Sequence, residues 1–396
     1  MIMPSEDQMQ VIKDAVNWYY NSPDLFFQIS GGPGTGKSYV LHEIVKALNL
    51  SPDKVAPMAY TGAAAIVMRR KGFPNSRTIH SWLLEPVECI KKSNGQYQYN
   101  EYFNIPEVGV EFIPKPLYGI DLIVIDEGFM VPEYIRDMLV QKNIKTIVAG
   151  DIDQLPPVKY RPAFFLTGEI HFLTEIFRQK SGSGIVYLSN RIKAEKSIHL
   201  GDYGDCTVIY DDEVTPEMIM ASDIMICAKN DTRQGLTNLV RHDIFKYGDG
   251  LPLHGERLVC RNNNWKVEVD GINLANGLIG NVFNFPDVTG MDKGFFTIDF
   301  LPMYGTTPFK KVDVDYKYFN ALFKDKITIK QSKWSTGDKL EYAYAITTHI
   351  SQGSEFNNGI YYQEYLNKDI NRNLWYVGIT RFQEHCFFVK HRRRYY

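Results

Sequence analysis

The segment Gly31-Gly32-Pro33-Gly34-Thr35-Gly36-Lys37-Ser38 constrains this chain more than any other. It fits G-x-x-x-x-G-K-[ST]. It also has the required context: the apolar run Leu25-Phe26-Phe27-Gln28-Ile29 before it reads as a strand, and Lys37 to about Leu48 reads as a helix. Glycines let backbone N–H groups converge on phosphate oxygens, and the helix N-terminus adds a favourable dipole. Gly32, Gly34, Thr35 and Gly36 are the expected cradle. Lys37 supplies a point charge to the β- and γ-phosphates, and Ser38 an oxygen to Mg²⁺. Such a loop implies an α/β sheet with a ligand at its carboxyl edge.

The second half of the site is Asp121-Leu122-Ile123-Val124-Ile125-Asp126-Glu127, a buried strand ending in two acids. Asp126 is expected to hold Mg²⁺ through its water shell, and Glu127 to polarise an attacking water. Further strands are expected at Val55–Tyr60, Lys145–Ala149, Ile224–Ala228, Tyr342–Thr347, Gly359–Tyr362 and Cys386–Val389, with a helix near Arg372–Arg381. Alternation of strands and helices argues for parallel sheets. Two segments break it. Asn94-Gly95, between alternating residues, signals a hairpin between Glu85 and Pro116, with Tyr97 and Tyr99 on one face. Val282 to about Lys339 reads as a small β-rich insertion. Ser181-Gly182-Ser183-Gly184 reads as a linker between halves, and 396 residues suit two to three domains.

Beyond the phosphate loop, Gly150-Asp151-Ile152-Asp153-Gln154-Leu155-Pro156-Pro157 resembles motif III of superfamily 1 helicases. Phe177-Arg178-Gln179 resembles motif IV, Thr347-Thr348-His349-Ile350-Ser351-Gln352-Gly353 motif V, and Tyr376-Val377-Gly378-Ile379-Thr380-Arg381 motif VI. Thr61-Gly62-Ala63-Ala64 and Thr78-Ile79-His80-Ser81 resemble motifs Ia and Ib. The chain is most similar to the 1B branch that includes the RecD and phage Dda helicases. That resemblance implies two RecA-like P-loop domains in tandem. The first would be 1–84 and 117–182, with a β-hairpin insertion at 85–116. The second would be 183–281 and 340–396, with a small SH3-like β-rich insertion at 282–339. It implies ATP in the cleft, read by Gln8 and faced by Gln352 and Gly353. It implies γ-phosphate contacts from Gln154, Arg178 and Arg381, and 5′-to-3′ movement on single-stranded DNA. Thr61, Thr78, His80, Trp82, Thr347, Thr348 and His349 are the expected strand contacts, and Trp334 is a further candidate base platform. Departures from the family are Ile350 and Ala63, where basic residues are common, and Gly128-Phe129 after the acids. The implied partners are single-stranded and forked or tailed duplex DNA, with a single-strand-binding protein or replisome proteins as further candidates. Three readings stay open: a translocase that displaces proteins without unwinding, an RNA helicase, and a binding subunit with an inactive ATP site.

The net charge is −2, which excludes a protein that coats nucleic acid by bulk charge. Charge is nonetheless segregated. Lys54–Trp82 carries a surplus of five positive charges, Lys310–Lys339 of four and Lys368–Tyr396 of five, while Asp202–Asp223 holds seven acids and no base. A basic track and an acidic outer face are the expectation. Five dispersed cysteines suggest neither zinc nor disulfides. With no apolar leader after Met1 and no membrane span, a cytoplasmic monomer is expected, in the host cytoplasm if phage-encoded.

Overall fold

The computed structural model of the chain describes residues 4–90, 92–93, 96–97, 108–157, 159–175, 182–248, 250–321 and 337–392. Two parallel α/β lobes follow one another, as expected. In the first, strands lie in the order Ile170–Leu173, Phe26–Gly31, Lys145–Gly150, Leu122–Asp126, Val55–Ala59 and Arg77–Thr78, all parallel. The central four are buried almost end to end, because helices cover both faces. Helices Glu6–Asn21 and Lys37–Ala47 pack on one face through Val11, Ala15, Val40 and Ile44. Helix Glu133–Lys142 closes the other through Ile135 and Leu139.

The second lobe orders its strands Gly201–Asp202, Cys206–Tyr210, Phe382–Lys390, Phe356–Tyr362, Ile224–Cys227 and Ala345–Thr347. All pairs are parallel except the one made by the edge strand Gly201–Asp202. Helices Gly184–Lys193 and Lys368–Ile379 pack together on it through Ile185, Leu188, Leu374 and Val377.

The hairpin has arms Leu84–Ile90 and Val108–Pro114, paired antiparallel. Its Asn94-Gly95 turn and Tyr99 lie outside the described residues, as do Ser181 and Trp334. The β-rich unit is an antiparallel sheet of Phe309–Asp315, Phe295–Pro302, Ile279–Val282, Arg257–Cys260 and Leu340–Tyr342. Phe296, Phe300, Phe309 and Val312 fill its core.

Two expectations need correction here. The sheet recruits Arg257–Cys260, so the insertion begins well before residue 282. The stretch Tyr342–Thr347 is not one strand. Leu340–Tyr342 closes the β-rich sheet, and Ala345–Thr347 opens directly into the second lobe. Both halves are buried, so burial does not mark the corner at Ala343 and Tyr344.

Candidate active site

The phosphate loop joins Phe26–Gly31 to Lys37–Ala47. Gly36, at φ +81°, is the helix N-cap and offers no side-chain cap, which leaves the first N–H groups for a ligand. A Cβ at Gly36 would stand 2.5 Å from Gln8 Nε2. Gln8 is buried, donates from Nε2 to the Thr35 carbonyl at 3.0 Å and accepts from Ser5 N–H at 3.2 Å. Its amide thus braces the loop from behind. Thr35 Oγ1 donates to Gly32 O at 2.9 Å, and Lys37 Nζ donates to the carbonyls of Gly31 (2.8 Å) and Gly32 (3.1 Å).

Asp126 ends its strand beside this loop, where Ser38 Oγ donates to Asp126 Oδ2 at 3.4 Å. Burial, then the neighbouring Glu127 charge, hold the Asp126 carboxyl above its usual range, against the pull of Lys71 and Lys37. Glu127 takes a left-handed backbone, φ +54°, and its N–H donates to Asp126 Oδ1 at 2.9 Å. A non-glycine residue there is uncommon, and such conformations gather at functional sites. The tight turn that follows explains Gly128, where a Cβ would meet Val148 Cγ1 at 2.2 Å.

The second lobe completes the cavity. Arg381 is buried, with Nη1 3.9 Å from Glu127 Oε1 and Nε donating to Val377 O at 3.2 Å. The cavity, ≈ 270 Å³, is lined by Lys37, Ser38, Asp126, Glu127, Gln154 and Arg381, together with Lys71 and Glu355. Gln154 Oε1 is buried with no hydrogen-bond partner among the described residues. A hydroxyl, carboxylates and an unpaired amide oxygen beside a phosphate loop are the hard-oxygen surroundings that suit Mg²⁺ bound with substrate phosphates. A neighbouring cavity of ≈ 290 Å³ runs between the loop and helix Gly184–Lys193.

Motif III is gripped from the second lobe. Tyr376 OH donates to the buried Asp151 Oδ2 at 2.7 Å. Asn373 Nδ2 donates to the carbonyls of Asp153 (2.8 Å) and Gln154 (3.0 Å), and Lys193 Nζ stands 2.6 Å from Asp153 Oδ2. Burial pushes the Asp151 carboxyl up, and burial with the Asp151 charge pushes the Tyr376 hydroxyl up. Gln352 belongs to this grip: its Nε2 donates to Leu155 O at 3.1 Å. Neither Gln352 nor Gly353 lines the cavity, contrary to their expected nucleotide role; Gly353 instead lies against Thr61 and Ala64. Arg178 lies outside the described residues.

The expected strand contacts divide. Thr348 is fully buried and donates to Cys227 O at 3.1 Å, so it serves the second lobe's interior rather than a strand. Thr61 and Thr78 cap helices, accepting from the N–H groups of Ala64 and Ser81, both at 3.2 Å. Trp82 Nε1 donates to Pro57 O at 2.9 Å and its ring packs on the first lobe's core, which is not the posture of a base platform. Thr347 is also buried, and burial lowers the pKa of His349. His80 is better placed. Burial lowers its pKa, and its ring lies 6.0 Å from both Tyr60 and Trp265. Trp265, from the hairpin Asn264–Val269 and Ile272–Leu274, in turn meets Phe112 of the first-lobe hairpin at 5.1 Å. Trp265 has no motif around it and so carries no local signal.

The charged segments also read differently in space. Asp211 accepts from His391 Nδ1 at 2.9 Å, and Arg392 pairs with Asp212 at 3.2 Å, so the acidic stretch and the C-terminal stretch lie side by side rather than on opposite faces. The basic residues after motif Ia face the second half: Arg69 donates to the Asp270 carbonyl, Arg70 lies 4.4 Å over the Tyr304 ring, and Lys71 pairs with Glu355. Lys71 was legible only as bulk charge.

Tandem α/β lobes with a phosphate loop facing the cleft define a P-loop nucleotide-hydrolase architecture. The pattern of the AAA domain family matches residues 5–209, just over half the chain, and the chain belongs to that family. It is related to RecD- and Pif1-type superfamily 1 helicases. It is 22% identical to the RecBCD enzyme subunit RecD of Buchnera aphidicola subsp. Acyrthosiphon pisum, covering 89% of this chain and 68% of that protein. It is 27% identical to the ATP-dependent DNA helicase Pif1 of a Psychrobacter species, over 43% of this chain and only 28% of that one. A crystal structure of Pif1 helicase from Bacteroides in complex with ADP-AlF3 and ssDNA shares the fold, with a TM-score of 0.57 at 18% identity, covering 98% of this chain and 92% of that one. Among the described residues no helix is long and apolar enough to cross a membrane.

Proposed function

We propose that this chain is an ATP-dependent DNA helicase that moves along single-stranded DNA from 5′ to 3′ and couples ATP hydrolysis to duplex unwinding. One observation carries the reading: Lys37, Ser38, Asp126 and Glu127 of one lobe and Arg381 of the other line a single cavity. In this reading Ser38 and Asp126 hold Mg²⁺, which neutralises charge on the β- and γ-phosphates. The phosphate-loop N–H groups and Lys37 orient the triphosphate. Glu127 accepts a proton from the attacking water, Gln154 positions that water, and Arg381 stabilises charge developing on the transferred phosphoryl group. Because Arg381 and the grip on motif III come from the opposite lobe, the site is complete only with the lobes together, which couples hydrolysis to lobe motion. His80 and Trp265 are the favoured base contacts, since rings accept any base by stacking. The RecD and Pif1 names of its relatives support the choice of DNA.

The test is strand release from duplexes with a 5′ or a 3′ single-stranded tail, with ATP and Mg²⁺. Release from the 5′-tailed duplex alone is expected. Release from the 3′-tailed duplex alone would overturn the polarity. ATP turnover stimulated by single strands without any release would favour a translocase that displaces proteins.

A further inference from the structure

The nucleotide cavity contains one ion pair that the hydrolytic roles do not use. Lys71 caps the helix Gly62–Arg70 of the first lobe, and its Nζ lies 2.9 Å from Glu355 Oε1 of the second. Both side chains line the cavity that holds Lys37, Asp126 and Arg381. Lys71 is close enough to Asp126 to oppose the rise of its carboxyl pKa, ahead of Lys37 in effect. Glu355 is therefore a carboxylate carried to the phosphate end of the cleft, where it is tolerated beside Asp126 and Glu127 because a cation faces it.

Glu355 is also wired outward. Its Oε2 accepts from Gln383 Nε2 at 2.7 Å, and its carbonyl accepts from the hydroxyl of Tyr304 in the β-rich unit. The face of the same Tyr304 ring carries Arg70, the neighbour of Lys71. One tyrosine thus touches both sides of the pair. The lysine is about a third exposed and the glutamate about a fifth (33% and 19%), so their attraction is partly screened and exchangeable.

We propose that Lys71 is a positioning residue that senses the γ-phosphate, and that Glu355 holds it in reserve. A triphosphate in the cavity brings a dense negative charge that competes with Glu355 for Lys71. Once Lys71 turns to the phosphate, the Lys71–Glu355 link between the lobes opens. Glu355 keeps its bonds to Gln383 and Tyr304 throughout, so what the terminal phosphate changes is the Lys71–Glu355 link between the lobes. A diphosphate lacks the competing charge and leaves the pair closed. This rests on the nucleotide-site reading above.

The test is calorimetric titration of the full chain, with Mg²⁺, using β,γ-imido-ATP and ADP separately. Lys71→Met is expected to weaken the triphosphate analogue about tenfold, the scale of one charge-assisted contact, and to leave ADP within about twofold. Glu355→Gln, which removes the competitor, is expected to shift the analogue the opposite way, tightening it several-fold with ADP unchanged. Lys71→Arg should recover most of the loss. A merely structural pair would weaken both nucleotides in both variants, and that result, or no change with Lys71→Met, overturns the proposal. Wild-type chain that binds neither nucleotide would overturn the site reading itself, an outcome distinct from equal effects on both ligands.

Discussion

The two lobes each lead a buried parallel strand into a helix, and they fill the turn between strand and helix differently. In the first, Phe26–Gly31 runs through a glycine-rich loop into Lys37–Ala47, whose first N–H groups have no side-chain cap. In the second, Ile224–Cys227 runs into Asn230–Asn238, and the chain supplies its own anion. Glu364 accepts from Ala228 N–H (2.7 Å), Lys229 N–H (2.9 Å) and Thr232 Oγ1 (2.6 Å) and is 3% exposed. A helix N-terminus attracts negative charge wherever it stands. The first lobe leaves the turn before its helix open, whereas the second has a carboxylate built in beside Ala228 and Lys229 and contributes Arg381 and Tyr376 to the cleft.

The largest expected effect breaks the open side. Lys37→Ala should lower ATP turnover by about 10² or more, since the phosphates lose their fixed cation; release of inorganic phosphate at saturating DNA is the measurement, and unchanged turnover would refute the assignment. The filled side is next. Glu364→Ala leaves the buried Ala228 N–H, the part-buried Lys229 N–H and the Thr232 hydroxyl without their acceptor and should cost about 1–3 kcal/mol in denaturant unfolding, without adding nucleotide binding in the second lobe. A variant as stable as wild type would mean the built-in carboxylate is dispensable.

Tyr376→Phe tests the junction between the lobes. It strips the buried Asp151 of a hydrogen bond and should cost about 1–2 kcal/mol in denaturant unfolding; a variant as stable as wild type would mean the grip on Asp151 adds nothing. The smallest effect lies at the far edge of the second lobe. Burial works against ionisation of Asp211, but hydrogen bonds from His391 and from the N–H groups of Arg392 and Asp212 overcome it, so its folded pKa lies below the ordinary 3.8. That contribution is present above the unfolded pKa and is lost as pH falls through the folded one. Asp211→Asn should therefore lower thermal stability by under about 1 kcal/mol near neutrality, given how exposed the group is, and the gap should close as pH falls through the lowered folded pKa.

The first lobe and the hydrolytic residues were legible because their signals are local. A strand buried on both faces reads as a continuous apolar run, and the phosphate loop and the Asp126-Glu127 pair each lie within a few residues. What escaped depends on partners far along the chain. Lys71 acquires meaning only from Glu355, and Trp265 only from His80 and Phe112. Thr347 and Thr348 look alike in sequence, yet Thr348 donates to Cys227, over a hundred positions away. The acidic and basic stretches looked like opposite faces of the molecule; Asp211 with His391, and Asp212 with Arg392, bring their ends into contact.

The corner at Ala343 and Tyr344 has a mechanical consequence. The last strand of the β-rich sheet becomes the edge strand of the second lobe with two residues between them, and Glu341 on that strand is locked at 2.8 Å to Arg233 of the lobe's helix Asn230–Asn238. A joint so short and so firmly pinned has little play. The β-rich unit is a crank arm welded to its shaft: a load on its sheet is delivered as torque to Thr347, at the threshold of motif V, rather than absorbed in a slack connection.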